Sequence, residues 1–425
     1  MTRIDEDLAP MNAEVPMNEE LTLTDAAVMS AHPDLPALTV LLDPERLRAE
    51  TAGLDSGPLR LDRLRLKPGA SVTAMLRPEG GVGSWVLARG FALEPWKTKR
   101  HKDLRAAADA GLPGRELVEA RLVLIPAAAD RQLRRLAPLR PDTGCCVPAP
   151  RRVAAMAASV SDTLSDPADQ DWRLVGNGGA FSPATERDTE TGRQSCPVGQ
   201  VRVRTLSHNP SRRWVGVADT GRSKHVLRLH HDRRVEVLPW VPGRMWRPGD
   251  ALPDELVTGW AASGALPHGA QPGLPFGRLP LVGTQLPAML RAASTGLHML
   301  HEPWGDRADA VVRAIVDRLS RVPSAPAHGD LTPDQVVVDG DRLTVLDWDR
   351  AGLWPVGWDV ASWTAGLVVA GWCAGDGSAA VTGRVNPVVL AAAAILRGPE
   401  PFRRRHPAWA ERTAALLTHA ERALA

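Results

Sequence analysis

A short segment near residue 330 carries the side chains that phosphoryl transfer requires. It reads HGDLTPDQVVVDGDRLTVLDWD, from His328 to Asp349. Phosphoryl transfer needs a carboxylate to orient or deprotonate the attacking hydroxyl, oxygen ligands for Mg²⁺, and a cation for the phosphates. Asp330 lies before two short apolar runs, and Asp347 follows the second run. The segment therefore offers candidates for the first two requirements.

The two apolar runs, VVV and LTVL, are separated by the turn sequence DGDR, which predicts a β-hairpin. Such a hairpin returns Asp347 to the beginning of its first strand. Gln335 stands there and offers an amide oxygen to the same cation. We therefore predict Asp347 and Gln335 as metal ligands, with Asp349 or a water as a further donor.

The rest of the chain has a β-rich half followed by a helical half. Strand-like stretches joined by Gly and Pro turns occupy two regions before residue 245, and apolar residues at helical spacing dominate from about residue 279. The two strand-rich regions share short matches around Lys67 and Asn209, which fit either an old duplication or convergent strand-turn composition. We predict five parts: a flexible acidic tail (1–35), a β-rich cap-like region or part of the amino-terminal lobe (36–140), a linker or mobile loop (141–200), an amino-terminal lobe with hinge (201–245) and a helical catalytic lobe (246–425).

Composition excludes several other classes of protein. The formal charge is only +2 over 425 residues, so no nucleic-acid partner is expected. The four cysteines show no zinc-ligand spacing, and the beginning of the sequence shows no secretory signal. The apolar run 360–375 is too short to span a membrane and reads as a buried helix, while the run 256–277 is broken by prolines and glycines. We expect a cytoplasmic protein without membrane contact.

These motifs resemble the catalytic core of the aminoglycoside phosphotransferase and choline kinase family, relatives of the protein kinases. That family reads HGD-x-x-x-x-N, a hairpin, I-D-W-[DE] and then D-[LVI]-A; the corresponding residues are His328 to Asp330, Gln335, Leu346 to Asp349, and Asp359 to Ala361. The resemblance implies an α+β fold, two-lobed and protein-kinase-like, with a β-rich amino-terminal lobe and a helical carboxy-terminal lobe. The region before residue 141 also resembles the cap of bacterial sugar kinases such as maltokinase.

The resemblance also implies roles for individual residues. Asp330 becomes the catalytic base, with His328 beside it in the catalytic group, and Asp347 the principal Mg²⁺ ligand. Asp359 becomes a buried carboxylate that supports the loop. Gln335 departs from the usual asparagine, which puts the second metal ligand in doubt because the side chain is one methylene longer.

The implied nucleotide site lies in the second strand-rich region. Arg228 stands where the family usually has lysine, with Lys224 as a competitor, and Trp240 and Val241 lie in the hinge-like segment expected to contact the base of ATP or GTP. No room remains after Arg228 for the usual helix with a glutamate partner. The helix predicted at 97–110 is a substitute from the first region, with Arg89 as the alternative phosphate ligand. The turn NPSRR and the stretch GNGGAF are weak candidates for the loop over the phosphates.

The predicted function is ATP-dependent phosphoryl transfer to a hydroxyl of a small molecule, with Mg²⁺. After residue 360 only four acidic residues face seven arginines, which favours a sugar-like or biosynthetic acceptor over a polycationic aminoglycoside. Two alternatives remain: a pseudokinase that binds or scaffolds, and a phosphotransferase that acts on peptide Ser or Thr. The oligomeric state is left open.

Overall fold

A computed structural model describes residues 25–148, 200–250 and 282–425, apart from short gaps and residues 373–384. The strands are β1 Leu59–Lys67, β2 Ser71–Pro78, β3 Val86–Phe91, β4 Arg115–Leu117, β5 Leu122–Pro126, β6 Cys146–Pro148, β7 Gln200–Asn209, β8 Arg213–Asp219, β9 Lys224–His230, β10 Val235–Pro239, β11 Arg244–Met245, β12 Ser324–Ala327, β13 Val336–Asp339, β14 Arg342–Val345 and β15 Gly352–Pro355. The helices are α1 Asp25–Ala31, α2 Leu38–Leu41, α3 Pro44–Thr51, α4 Leu93–Asp109, α5 Leu286–Leu300, α6 Glu302–Leu319, α7 Trp358–Ala370, α8 Pro387–Arg397, α9 Glu400–Arg403 and α10 Trp409–Leu424.

The first sheet is antiparallel, in the order β1-β2-β3-β5-β4, and α4 connects β3 to β4. Both of its faces are covered, because successive residues of a strand point to opposite faces. Along β2, Ala74 belongs to the core that the sheet shares with the helices, whereas Met75 packs with Trp96 of α4 on the other face. The sheet is therefore a buried layer rather than an exposed appendage.

The second sheet is a simple antiparallel meander in the order β10-β9-β8-β7-β6. Its core includes Trp214, Leu227 and Leu229, which pack with Leu133 and Leu136 from the segment after the first sheet. Strand β9 is followed directly by β10, as the sequence analysis expected from the short spacing after Arg228. Beyond the hinge, β11 pairs with β13 of the predicted hairpin, so the hinge is joined to the catalytic segment.

The carboxy-terminal part is helical, with α5, α6, α7, α8 and α10 sharing one apolar core. The apolar run 360–375, predicted to be a buried helix, is confirmed as far as Ala370, where α7 ends; the residues of α7 are almost all buried. The part of the chain that the structure describes contains no helix long and apolar enough to cross a bilayer. The predicted α+β class, with a β-rich part before a helical part, is confirmed.

Some boundaries differ from the prediction. The flexible tail predicted for 1–35 is wrong for residues 25–35, because α1 forms there and Val28 and Leu35 are buried in the core. The prediction was wrong here because it followed the acidic composition of the preceding residues and not the apolar side chains of Val28 and Leu35. Of the predicted linker 141–200, residues 146–148 form β6. Residues 1–24, the stretch GNGGAF and the run 256–277 lie outside the described residues.

A buried ionic network joins the two sheets. Arg89 of β3 pairs with Asp103 of α4, and its second guanidinium nitrogen lies 3.2 Å from Asp130 Oδ1. The other carboxylate oxygen of Asp130 lies 3.3 Å from Nε2 of His208, which belongs to β7 of the second sheet. Arg89, predicted as an alternative phosphate ligand, is thus committed to this structural network. Its partner Asp103 lies on the helix predicted at 97–110, which is α4 and connects two strands of the first sheet.

Removing Asp130 tests the contribution of this network to stability. The Asp130→Ala variant leaves Arg89 with Asp103 as its remaining carboxylate and removes the carboxylate that faces the buried His208, so we expect the free energy of unfolding to fall by about 1–3 kcal/mol. Chemical denaturation monitored by tryptophan fluorescence measures the change. The control is Glu94→Ala, which breaks the exposed pair with Lys97 and should leave the midpoint unchanged. Equal denaturation midpoints for both variants would show that Asp130 does not contribute to stability.

Candidate active site

The loop that begins the HGD motif is fixed by one buried carboxylate. Asp359, in the first turn of α7, accepts the backbone N–H of His328 at 2.7 Å and that of Gly329 at 2.9 Å. Burial raises the pKa of Asp359 to about 6, and the two backbone hydrogen bonds oppose the rise. The carboxylate therefore satisfies two amides that the turn cannot pair internally, as the resemblance implied for this residue.

His328 is completely buried and acts on the loop from inside. Its Nε2 donates to the carbonyl of Leu346 at 2.7 Å, and its Nδ1 accepts the backbone N–H of Asp330 at 3.3 Å. Burial lowers the pKa of His328 to about 4, so the ring is neutral at physiological pH. His328 was predicted among the catalytic residues; because it has no exposed surface, we assign it the role of positioning Asp330 against the residue before Asp347.

Gly329 occupies a position that no other residue fits. Its φ is +83°, in the left-handed region, and a Cβ there would lie 2.3 Å from Nε1 of Trp354 and 2.4 Å from the carbonyl oxygen of Arg350. Trp354 stacks on Trp358 with ring centroids 4.7 Å apart, and Trp358 Nε1 donates to the Gly329 carbonyl at 3.0 Å. The glycine of the motif thus lets the loop lie directly on two tryptophans.

The carboxylate of Asp330 emerges from this loop and meets a buried arginine. Arg397, the last residue of α8, donates to Asp330 Oδ1 and also to Ser362 Oγ at 3.0 Å and Glu400 Oε1 at 2.9 Å. Arg350 Nε lies 3.8 Å from the second carboxylate oxygen. Asp330 retains about a fifth of its side-chain surface, so a hydroxyl group can still reach it.

The predicted hairpin is confirmed and brings Gln335 beside the end of the second strand. Strands β13 and β14 pair from Val336–Val345 to Asp339–Arg342, and the Leu346 backbone N–H donates to the Gln335 carbonyl at 2.7 Å. Asp347 is the next residue, and its φ of +67° is rare for a residue other than glycine. Such strained conformations cluster at functional sites.

Two arginines from the second sheet face the carboxylates after this hairpin. Arg228 of β9 is only 1% exposed, and its Nη2 lies 3.7 Å from Asp347 Oδ1 and 3.4 Å from Asp349 Oδ2. Arg213 of β8 lies 3.6 Å from Asp347 and 2.6 Å from Asp349. The structure therefore brings Arg228 to Asp347, whereas the competitor Lys224 lies over the ring of Trp240, 5.9 Å from its centroid.

Trp240 and Val241, the predicted base-binding residues, follow β10 directly. Val241 packs with Met245, Val337 and Leu346, so the hinge touches the hairpin immediately before Asp347. Trp240 is half-buried. Val241 is thus packed against Leu346, the residue before Asp347, which Arg213 and Arg228 face.

The oxygen donors at the hairpin fit a Mg²⁺ ion. Burial raises the pKa of Asp347 to about 7, with Arg213 opposing the rise and Asp349 adding to it. Gln335 is 6% exposed, and its amide oxygen has no hydrogen-bond partner in the described part of the chain. A buried amide oxygen without a partner is costly unless something binds it. Among the described residues no three His, Cys, Asp or Glu side chains form a metal cluster, so phosphates and water must complete any shell.

Comparison with known protein families gives a match, which covers the second sheet in part and the helical part. Residues 216–417 match the model of the phosphotransferase enzyme family, APH. This match confirms, for these residues, the resemblance inferred from the sequence. It also supports the general class of small-molecule phosphotransferases. No curated protein matches the chain.

Several solved structures are similar to the chain at low identity. A choline kinase from Cryptosporidium parvum Iowa II is 10% identical, with 52% of this chain and 88% of that chain covered and a TM-score of 0.35. The GDP complex of aminoglycoside 2'-phosphotransferase-IIIa is 15% identical, with coverage of 52% and 92% and a TM-score of 0.33. A glucosamine kinase is 16% identical, with coverage of 90% and 92% and a TM-score of 0.23.

Sequence reasoning missed two arginines of the site. Arg213 was noted only as part of the turn NPSRR, although its position at the start of β8 places it opposite Asp349. Arg397 carried no signal at all, because it reaches Asp330 from 67 residues away in sequence. Arginines abound in this chain, so their type alone could not single these two out.

Replacing Asp359 tests whether one carboxylate holds the loop. In the Asp359→Asn variant the amide can accept only one of the two backbone bonds and presents an N–H₂ to the other donor, so we expect a loss of about 2–4 kcal/mol of stability. Thermal unfolding measures the loss. Asp317→Asn, an exposed change on α6, is the control. A variant with wild-type stability would show that the loop is held by other contacts.

Proposed function

We propose that the chain is an ATP-dependent O-phosphotransferase for a small molecule, with a sugar-like or biosynthetic compound rather than a polycationic aminoglycoside as acceptor. The observation that carries the proposal is the arrangement at the base of the hairpin: Asp330 on a loop fixed from inside, and Asp347 and Gln335 next to it, opposite two buried or half-buried arginines. Each requirement of phosphoryl transfer then has a side chain in place.

In the proposed reaction Asp330 accepts the proton of the acceptor hydroxyl. The hydroxyl oxygen forms a bond to the γ-phosphorus of ATP, the bond between that phosphorus and the bridging oxygen breaks, and ADP leaves. Arg397 keeps the Asp330 carboxylate in place, and the proton passes from it to solvent after transfer. Arg228 and Arg213 neutralise phosphate oxygens, since guanidinium groups bind phosphates through two parallel hydrogen bonds.

The nucleotide and metal would be held by residues of both parts of the chain. Asp347 and Gln335 would hold Mg²⁺, which when bound offsets the charge of the phosphates. Val241 and Trp240 would contact the base, whether adenine or guanine. For these ligands to bind, Arg213 and Arg228 have to turn from the carboxylates of Asp347 and Asp349 toward the phosphates. The nucleotide thus replaces ion pairs that the chain makes within itself.

A pseudokinase is the second candidate, and one observation favours it. The two carboxylates essential for transfer both carry arginine partners, Asp330 with Arg397 and Asp347 with Arg213 and Arg228. If these ion pairs persisted, Asp330 could not accept a proton from a hydroxyl and Asp347 could not bind Mg²⁺. The two candidates differ in one measurable property, which is Mg²⁺-dependent binding of ATP.

Replacement of the proposed base should separate transfer from binding. We expect Asp330→Asn to lower kcat by about 10²–10⁴-fold, the range contributed by a positioned general base, while the Kd for Mg-ATP stays unchanged. A coupled ADP-release assay and calorimetry measure the two quantities. Asp339→Asn, at the exposed far end of the same hairpin, is the matched control. Full activity of Asp330→Asn would remove Asp330 from the reaction.

Replacement of Gln335 tests the unusual second ligand. Gln335→Leu keeps most of the side-chain volume and removes the amide oxygen, so we expect ATP binding in Mg²⁺ to weaken by about tenfold or more, the cost of one charge-assisted contact. Binding in EDTA should not change, which controls for packing. Gln335→Asn, which introduces the residue usual in the family, should bind better than Gln335→Leu. Equal Mg²⁺ dependence of Gln335→Leu and wild type would show that the glutamine is not a ligand.

A further inference from the structure

A second cleft, of about 340 Å³, lies where the first sheet, the second sheet and the helical part meet. Its walls come from β1, β2, β7, the segment after β11, the HGD loop and the ends of α7 and α9. From the segment after the HGD motif, Asp334 lines the cleft; it follows the proposed base Asp330 by four residues. The first sheet, which lies outside the family-matched residues, therefore forms part of a cavity that opens beside the catalytic loop.

Both sheets are deformed where they border this cleft. The β1–β2 register shifts between Leu61 and Arg63, so Asp62 is an extra residue in β1. The β7–β8 register shifts between Thr205 and Ser207, so Leu206 is an extra residue in β7. Both extra residues line the cleft. Bulges re-aim side chains and are frequent beside active sites, so two of them on one cavity indicate a surface shaped for a ligand.

The cleft has aromatic walls that include a buried indole N–H donor. Trp246 and Trp372 lie with ring centroids 5.8 Å apart at an angle of 55°, and Trp85 lines another wall. Trp246 is 6% exposed, and among the residues that the structure describes its indole N–H has no hydrogen-bond partner. Buried indole N–H groups ordinarily find an acceptor, so an oxygen of a bound molecule is expected there. Tryptophan faces beside polar groups suit a ring that is apolar on its faces and hydroxylated at its edge.

The cleft is also positively charged. Arginines outnumber aspartates by four to two among its lining residues: Arg63, Arg77, Arg247 and Arg404 against Asp62 and Asp334. Both aspartates already have partners, since Arg77 lies 3.2 Å from Asp62 and Arg404 lies 2.8 Å from Asp334. The excess of two positive charges on concave walls favours an anionic ligand and opposes a cationic one.

A chain of ion pairs connects this cleft to the proposed base. Arg397 binds both Asp330 and Glu400, and Arg404 Nη2 lies 3.5 Å from Glu400 Oε2 while its Nη1 binds Asp334. The charges of the cleft and the carboxylate of Asp330 therefore belong to one network. Asp334 and Arg404 are the members of this network that line the cleft.

We propose that this cleft binds the acceptor, and that the acceptor is a hydroxylated ring compound with an anionic group, a carboxylate or a phosphate. The ring lies against Trp246 and Trp372, the anionic group pairs with Arg63 and Arg77 of the first sheet, and a hydroxyl is directed to Asp330. The first sheet is thereby a specificity element of the acceptor site. This inference rests on the proposed function, because it concerns the acceptor of the same reaction.

The experiment compares four related hexoses as acceptors for the full chain: glucose, glucosamine, glucuronate and glucose 6-phosphate. ADP release gives kcat/KM, and calorimetry in the presence of Mg-ADP gives the Kd of each sugar. We expect the two anionic sugars to bind at least tenfold more tightly than glucose, and glucosamine to bind most weakly. The difference between glucuronate and glucose 6-phosphate identifies which anion the cleft prefers.

Variants connect the preference to the cleft. Arg63→Gln and Arg77→Gln should each raise KM for the anionic sugars by about tenfold or more, the cost of one charged contact, with kcat and the Kd for Mg-ATP unchanged. Arg63→Lys should retain most of the preference. Arg60→Gln, exposed on the same strand β1 and outside the cleft lining, is the matched control. Thermal unfolding of each variant verifies that it is folded.

The outcomes separate this inference from the proposed function. If wild type binds Mg-ATP but glucose or glucosamine is preferred, or the anionic sugars do not bind at millimolar concentration, the cleft proposal is overturned and phosphotransfer stands. An unchanged KM in Arg63→Gln and Arg77→Gln also overturns it. Absence of Mg-ATP binding by wild type contradicts the proposed function itself and removes the basis for an acceptor.

Discussion

The active-site geometry depends on the burial of the Asp359 carboxylate under the HGD loop. Its two oxygens accept the backbone N–H groups of His328 and Gly329, and the imidazole of His328 donates to the carbonyl of Leu346. Through that bond the loop and the hairpin become one unit, since Leu346 is also paired with Gln335. The positions of Asp330 and Asp347 relative to each other follow from these few bonds.

Around this unit the site is built from opposed charges. Asp330, Asp347 and Asp349 each have an arginine partner, and the arginines come from different layers: Arg213 and Arg228 from the second sheet and Arg397 from α8. In a partly dry cleft such pairs offset desolvation, so removing one partner leaves an uncompensated charge. A nucleotide with Mg²⁺ carries both signs of charge and can take over both sets of contacts. The arginine pairs are therefore compatible with a site in which nucleotide and Mg²⁺ replace them, and also with an inactive site in which they persist.

The sequence was most informative where chemistry and spacing coincide. The hairpin, its turn and the proximity of Asp347 to Gln335 followed from two apolar runs around DGDR, whereas the position of Arg228 was implied by the resemblance to the family. Long-range contacts were out of reach, because nothing local specifies that Arg397 returns to Asp330. The involvement of residues before 140 in a cleft beside the loop also depends on packing between sheets. Two bulges position that surface, and bulges have no marker in this sequence.

The most direct test is calorimetry of ATP binding, with and without Mg²⁺, on wild type and on Asp347→Ala. The account predicts that wild type binds ATP more tightly in Mg²⁺ and that the variant loses this dependence, since Asp347 is the principal ligand. If wild type does not bind ATP, or binds it equally well without Mg²⁺, the chain is not a magnesium-dependent phosphotransferase. The inactive state, with its carboxylates paired to arginines, would then describe this site.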